Sequence, residues 1–175
     1  MNRFLIIAFG SAAALGVLAS AAAFAADRPL SDEMREVHAA TARYHSFEQA
    51  LKDGYALRAG EPCAARPGFG TMGYHVANQW LMDDPAIDPL RPEILMYLPD
   101  QSGELKFVGF EYWKADADGS LATGDDRPSL FGVPFDGPMP GHNPTMPVHY
   151  DLHVWVWEDN PAGLFAMWNP ALACP

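Results

Sequence analysis

The sequence predicts an α+β domain: an antiparallel β-sheet, open to strong curvature, with an N-terminal amphipathic helix packed on one face. Three observations predict it. Apolar residues recur at helical spacing in one early segment; short apolar runs then follow, separated by turn residues rather than by helical segments; and no repeat or low-complexity linker divides the chain.

Residues 1–25 read as a secretory signal peptide, with a charged start at Arg3, an apolar run and the small-residue exit Ala23-Phe24-Ala25. A retained membrane anchor is the rival, because the apolar run is long, but the Ala-rich end favours cleavage after Ala25. No cysteine stands at the cut, which argues against a lipoprotein. A single domain, residues 26–175, is then expected in the periplasm or the medium, with a core of its own at this length.

In that domain Met34, Val37, Thr41, Tyr44, Phe47, Leu51 and Tyr55 form one stripe and predict a helix from Ser31 to Gly54. Asp32 and Glu33 suit its N-terminal end, and Lys52 followed by Gly54 suits its stop. His38 and His45 flank the stripe as partly exposed side chains. The following GFGTMGYHVANQW holds a formal G-x-G-x-x-G at Gly68, Gly70 and Gly73. A dinucleotide site needs a strand before this motif and a helix after it. Here a Pro-rich loop precedes and a strand-like segment follows, so the glycines read as turn and bulge positions and no nucleotide is expected.

Strands are predicted over Glu93–Leu98, Leu105–Lys114 and Val148–Trp157, with loops at Pro99-Asp100, Ala115–Asp126 and Gly132–Pro147. The turn DADGSLATGDD matches a calcium loop only in part. Aligning Asp116, Asp118 and Gly119 with it puts Lys114 where a carboxylate is required. Asn143-Pro144-Thr145 is no glycosylation acceptor, since its middle residue is proline. Asn-Pro pairs at 160 and 169 punctuate a packed apolar C-terminal segment.

Removing residues 1–25 takes away one base and leaves 10 basic against 22 acidic side chains, a net charge of −12. An acidic surface without a Lys/Arg cluster repels phosphate backbones and anionic lipids. Nucleic acid and, after signal cleavage, membrane partners are therefore not expected; a small ligand, a metal ion or another protein fits better. The only cysteines, Cys63 and Cys174, are expected to pair in an exported protein. Closing a loop of about 110 residues stabilises by about 4–5 kcal/mol on the chain-entropy model.

Chemistry concentrates on the strands. In HYDLHVWVW, alternation puts Val148, Tyr150, Leu152, Val154 and Val156 on one side and His149, Asp151, His153, Trp155 and Trp157 on the other. In LKFVGFEYWK the same alternation groups Leu105, Phe107, Gly109, Glu111 and Trp113, with Glu111 the only acid; an outward Glu beside a base is the plainer alternative. A buried carboxylate there needs a partner or a metal. His75 in MGYHVAN shares a face with the small residues Gly73 and Ala77.

His75, Glu111 and His153 would form a two-His, one-carboxylate set suited to Zn, Cu or non-haem Fe. A lone strand histidine is more often a hydrogen-bonded structural residue, and no contiguous metal motif is present. Asp151 is a further ligand, an orienting acceptor for His149 or His153, or plain surface. Met139, His142, Met146 and His149 make a second, softer set suited to copper, against their plainer use as apolar pegs. No G-x-S-x-G elbow is present. Glu111 and Asp151 could act as an acid/base pair in a sugar cleft with Trp113, Trp155 and Trp157 as platforms.

The segments ARYHSFEQALKDGY, Cys63, MGYHVAN, EYW, LHVWVW, NPAGLFAMWNP and Cys174 resemble a group of secreted bacterial proteins of unknown function. The resemblance spans most of the mature chain and implies export and a single domain, without an activity. The expected function is binding of a transition metal or small ligand by His75, Glu111 and His153. The alternative is a metal-free carbohydrate-binding or protein-interaction module using the Trp-rich face. Enzymatic activity is left open: an ion with an open position could activate water or oxygen.

Overall fold

The computed structural model describes residues 30–175; the expected signal peptide lies outside the described residues. The first helical segment is not continuous. It comprises α1 (Asp32–Thr41), a 3₁₀ turn (Ala42–His45) and α2 (Phe47–Lys52). Ser31 caps α1 by accepting from the Met34 amide at 3.1 Å, and Ser46 caps α2 by accepting from Gln49 at 3.2 Å. Ser46-x-x-Gln49 is a capping signature inside the apolar stripe, and it restarts the helix there. The phase shifts with it, so Ala50 is buried while Leu51 is 48% exposed.

Nine strands follow: β1 (Ala56–Leu57), β2 (Ala64–Arg66), β3 (Gly70–Ala77), β4 (Ile94–Pro99), β5 (Leu105–Ala115), β6 (Ser129–Leu130), β7 (Val133–Pro134), β8 (Asp136–Met139) and β9 (His149–Val154); α3 (Gln79–Met82) lies between β3 and β4. The main sheet is antiparallel in the order β1-β3-β4-β5-β9-β8, with β2 paired to β3. A separate hairpin joins β6 and β7.

Alternation sorts the two faces. Val76, Leu95, Tyr97, Phe110, Tyr112, Tyr150, Leu152 and Val154 share one buried cluster with Met34, Val37 and Tyr44. The Tyr97 hydroxyl donates to the Tyr44 carbonyl at 2.6 Å. Met72, Met96, Val108 and Trp155 form a smaller cluster.

A β-bulge corrects the expected face of β5. Met96 pairs with Gly109 and Tyr97 with Phe107, leaving Val108 unpaired. One extra residue reverses the alternation. Phe107 therefore joins the large cluster and Val108 the small one, while Glu111 keeps the face opposite Phe110 and Tyr112.

Two further corrections concern the end of the chain. β9 ends at Val154, so Trp157 leaves the histidine face. Its ring stacks on His38 at 3.8 Å, meets His45 edge-on at 4.4 Å, and donates from Nε1 to the Thr41 hydroxyl at 3.1 Å. The Gly132–Pro147 region is not all loop, because Asp136-Gly137-Pro138-Met139 pairs with β9 as an edge strand. Pro is tolerated at a sheet edge. Gly137 sits at φ +117°, and a Cβ there would lie 2.7 Å from the His149 carbonyl oxygen, so the ladder approaches closely only without a side chain.

In the acidic turn the carboxylates bind the turn's own groups. Asp116 accepts from the amides of Asp118 and Gly119, and Asp126 accepts from the Ala117 amide and the Tyr150 hydroxyl. Cys63 and Cys174 form the disulfide, with Cα atoms 5.9 Å apart. Thr71 and Asn169 exchange backbone hydrogen bonds at 3.0 and 3.1 Å, which lays the C-terminal segment against β3. The two Asn-Pro asparagines are structural: Asn160 donates to the Trp168 carbonyl and Asn169 to the Asp159 carbonyl.

Candidate metal centre

The antiparallel order separates β3 from β5 by β4, so the backbones that carry His75 and Glu111 are two strand spacings apart, about 9.5 Å. The side chains close that gap over β4. His75 Nε2 lies 3.2 Å from Glu111 Oε2, and His153 Nε2 lies 3.6 Å from the same oxygen. Glu111 and His153 are direct cross-strand partners. One donor atom from each of the three residues lies within 4.8 Å of the others.

Those spacings suit one ion. Donors at about 2.0–2.1 Å in tetrahedral geometry stand about 3.3–3.4 Å apart. Two nitrogens and one carboxylate oxygen fit Zn, Cu or Fe. Glu111 and His153 are buried, whereas the His75 side chain keeps 20% exposure and faces a cavity of about 490 Å³. A fourth position would therefore open toward that cavity rather than into packed protein.

Behind the triad the polar row continues. His153 Nδ1 is 3.5 Å from Asp151 Oδ1, and His149 Nε2 is 4.0 Å from Asp151 Oδ2. These are close contacts without hydrogen-bond alignment. Both nitrogens of His153, Oδ1 of Asp151 and Nε2 of His149 are buried without a hydrogen-bond partner. Each such group costs about 1–3 kcal/mol of desolvation. Four in one row are unusual enough to require an explanation, and a cation beside the row supplies one for His153 Nε2.

The charges in the row are mutually dependent. Burial opposes the imidazolium of His153, but the Asp151 and Glu111 carboxylates outweigh it and push its pKa up to about 9. Burial likewise opposes the Glu111 carboxylate, and the neighbouring His153 and His75 rings hold it down to about 2. A proton bound more tightly in the folded than in the unfolded chain stabilises below the unfolded pKa and ceases to do so above the folded one. The metal-free protein is thus expected to lose stability as pH rises from His153's ordinary 6.5 through about 9. Urea midpoints across that window measure it; a flat profile would contradict the His153 pairing.

Every site residue expected from the sequence can now be placed. His75, Glu111 and His153 converge, Asp151 backs His153, and His149 lies fully buried one position further along the row. His142 lines the same cavity from the segment after β8, together with Met139 and Met146. The expected Trp-rich face is not one surface. Trp113 and Trp155 are buried, Trp113 stacks on His149, and Trp157 packs with the helices instead.

Sequence reasoning missed two acids. Asp136, opposite Asp151 in the ladder, has a raised pKa from burial and the Asp151 charge; it sat in a segment read as loop. Glu93 accepts from the Trp113 amide at 3.1 Å, and burial pushes it up to about 8. A lone acid heading the apolar run EILMYL was the available signal for it.

Comparison with protein-family models, with curated proteins and with solved structures finds no match.

Proposed function

We propose that this chain is an exported metal-binding domain in which His75, Glu111 and His153 hold one divalent transition metal ion, Zn, Cu or Fe. The observation that carries the reading is the meeting of three ligand-type atoms from three different strands within 4.8 Å, two of them on buried side chains. Asp151, 3.5 Å from His153 Nδ1, stands where a carboxylate behind a ligating histidine stands. The disulfide and the signal-like N-terminus support an oxidising compartment. The ion would supply Lewis acidity at a position facing the cavity, and the cavity walls would select what small molecule reaches it.

Elemental analysis of protein purified from the periplasm, and after reconstitution with each metal, tests this. One equivalent of divalent metal is expected in the wild type and none in His75→Ala or His153→Ala variants that remain folded. A wild type that takes up no Zn(II), Cu(II) or Fe(II) would sink the reading.

A further inference from the structure

The cavity beside the triad is lined by five methionines: Met72, Met82, Met139, Met146 and Met167. Both cysteines are in the disulfide, so thioethers are the soft donors this chain has to offer. Three of the wall residues, Met139, His142 and Met146, belong to the segment that borders His149.

Met139 and His149 are direct partners in the β8–β9 ladder. Side chains so placed stand about 4.5–5.5 Å apart at Cβ. The His142 ring meets the His149 ring edge-on with centroids 5.0 Å apart. Met146 Sδ accepts from the His142 amide at 3.5 Å, and the Met146 amide donates to the Asn143 carbonyl at 3.1 Å, so a tight turn holds His142 and Met146 together. A carboxylate, Asp151, lines the same cavity.

His149 supplies the decisive atom. Its Nδ1 lies 3.1 Å from the Pro147 carbonyl oxygen. A carbonyl can only accept, so Nδ1 carries a proton and Nε2 is the ring nitrogen left for a further partner. That nitrogen is buried without a hydrogen-bond partner, on a residue with no exposure at all. An imidazole fixed through one nitrogen by a carbonyl, with the other nitrogen unpartnered, is the arrangement of a ligating histidine.

The geometry points to a second metal position, specific for Cu(I), built by Met139, His142 and Met146 around the Nε2 of His149. Two thioethers and two imidazoles favour Cu(I) over harder divalent ions, with Asp151 Oδ2, 4.0 Å from His149 Nε2, as a nearby counter-charge, whereas the Glu111-containing triad favours the divalent ones. Met139, His142 and Met146 line the same cavity as His75 and Glu111, but the two positions share no ligand, so each can be lost without the other.

The test is an anaerobic titration of the mature, disulfide-intact protein with Cu(I) against a chromophoric chelator, without thiol reductant, together with X-ray absorption. One equivalent with sulfur and nitrogen neighbours is expected in the wild type. The Met139→Leu/Met146→Leu double variant conserves volume, which cores tolerate well, and should bind Cu(I) at least tenfold more weakly while still taking up Zn. The His142→Ala variant, changed at an exposed position, should show the same loss and decides the matter if the double variant is misfolded. Glu111→Gln should lose Zn and keep Cu(I). Absence of Cu(I) binding, a sulfur-free coordination shell, or unchanged affinity in folded variants at Met139, Met146 and His142 would each overturn the proposal. Zn uptake without Cu(I) uptake refutes this second position alone, and Cu(I) uptake without a divalent ion refutes the triad alone.

Discussion

Replacing Glu111 by Gln is expected to strip the divalent ion from the folded protein. Glu111 Oε2 is the common vertex of the site, 3.2 Å from His75 and 3.6 Å from His153. Gln keeps the shape and loses the charge and the anionic donor. Residues behind the ligands already cost about 10–100-fold in metal affinity when changed, so loss of a direct ligand is expected to exceed about 100-fold in a competition titration. The same change acts on the metal-free protein. It leaves His153 buried with one carboxylate neighbour fewer, and breaking a buried ion pair from one side costs about 3–5 kcal/mol. A lower urea midpoint is therefore expected along with the lost metal, with the deficit largest at the pH values where His153 is charged. Unchanged metal affinity in a folded variant would remove Glu111 from the site.

The double variant Cys63→Ser/Cys174→Ser is expected to lose about 4–5 kcal/mol of stability, the cost of releasing a closed loop of this size in the unfolded chain. The cysteines are separated by 111 residues. The disulfide also ties the end of the C-terminal segment to the stretch before β2. Met167 and Trp168 of that segment wall the cavity, so loosening it should open the cavity as well as weaken the fold. Chemical denaturation with and without a reductant measures the first effect. Faster exchange of the Thr71 and Asn169 amides, which bond to each other's carbonyls, measures the second. Equal midpoints under both conditions would show that the bridge contributes nothing.

Much of the sheet was readable in the chain. β9 could be drawn from HYDLHVWVW because side chains alternate with period two, and the aliphatic residues Leu152 and Val154 accordingly lie in the large cluster while His149, Asp151 and His153 face the other way. Glu111 drew attention as the only acid in an apolar strand, and desolvation makes such a group either partnered or costly. The helix break at Ser46 had a written signal in its cap, which the apolar stripe masked. β8 was missed because Gly137 and Pro138 read as loop residues, although an edge strand needs only one side of its ladder.

Other features follow from pairing rather than from any local run. Val108 is an extra residue only relative to Met96 and Tyr97, so the bulge that sends Phe107 to the helix side exists in the register of two strands and in neither alone. Trp157 left the histidine face because β9 stops at Val154, where the Leu164 carbonyl takes the Trp155 amide at 2.9 Å. His75 meets Glu111 across an intervening strand, a contact between residues 75 and 111 that no spacing in the sequence encodes.

By itself, then, the sequence determined which residue types were available and which face of each strand they would take, because alternation and desolvation act on neighbours along the chain. It also determined that two cysteines in a chain with a signal-like start would be paired. The tertiary structure decided which of those faces meet, because strand order, the bulge and the edge pairing of β8 depend on contacts between distant segments. It is those contacts that set His75, Glu111 and His153 around one point and brought Met139, His142 and Met146 beside His149.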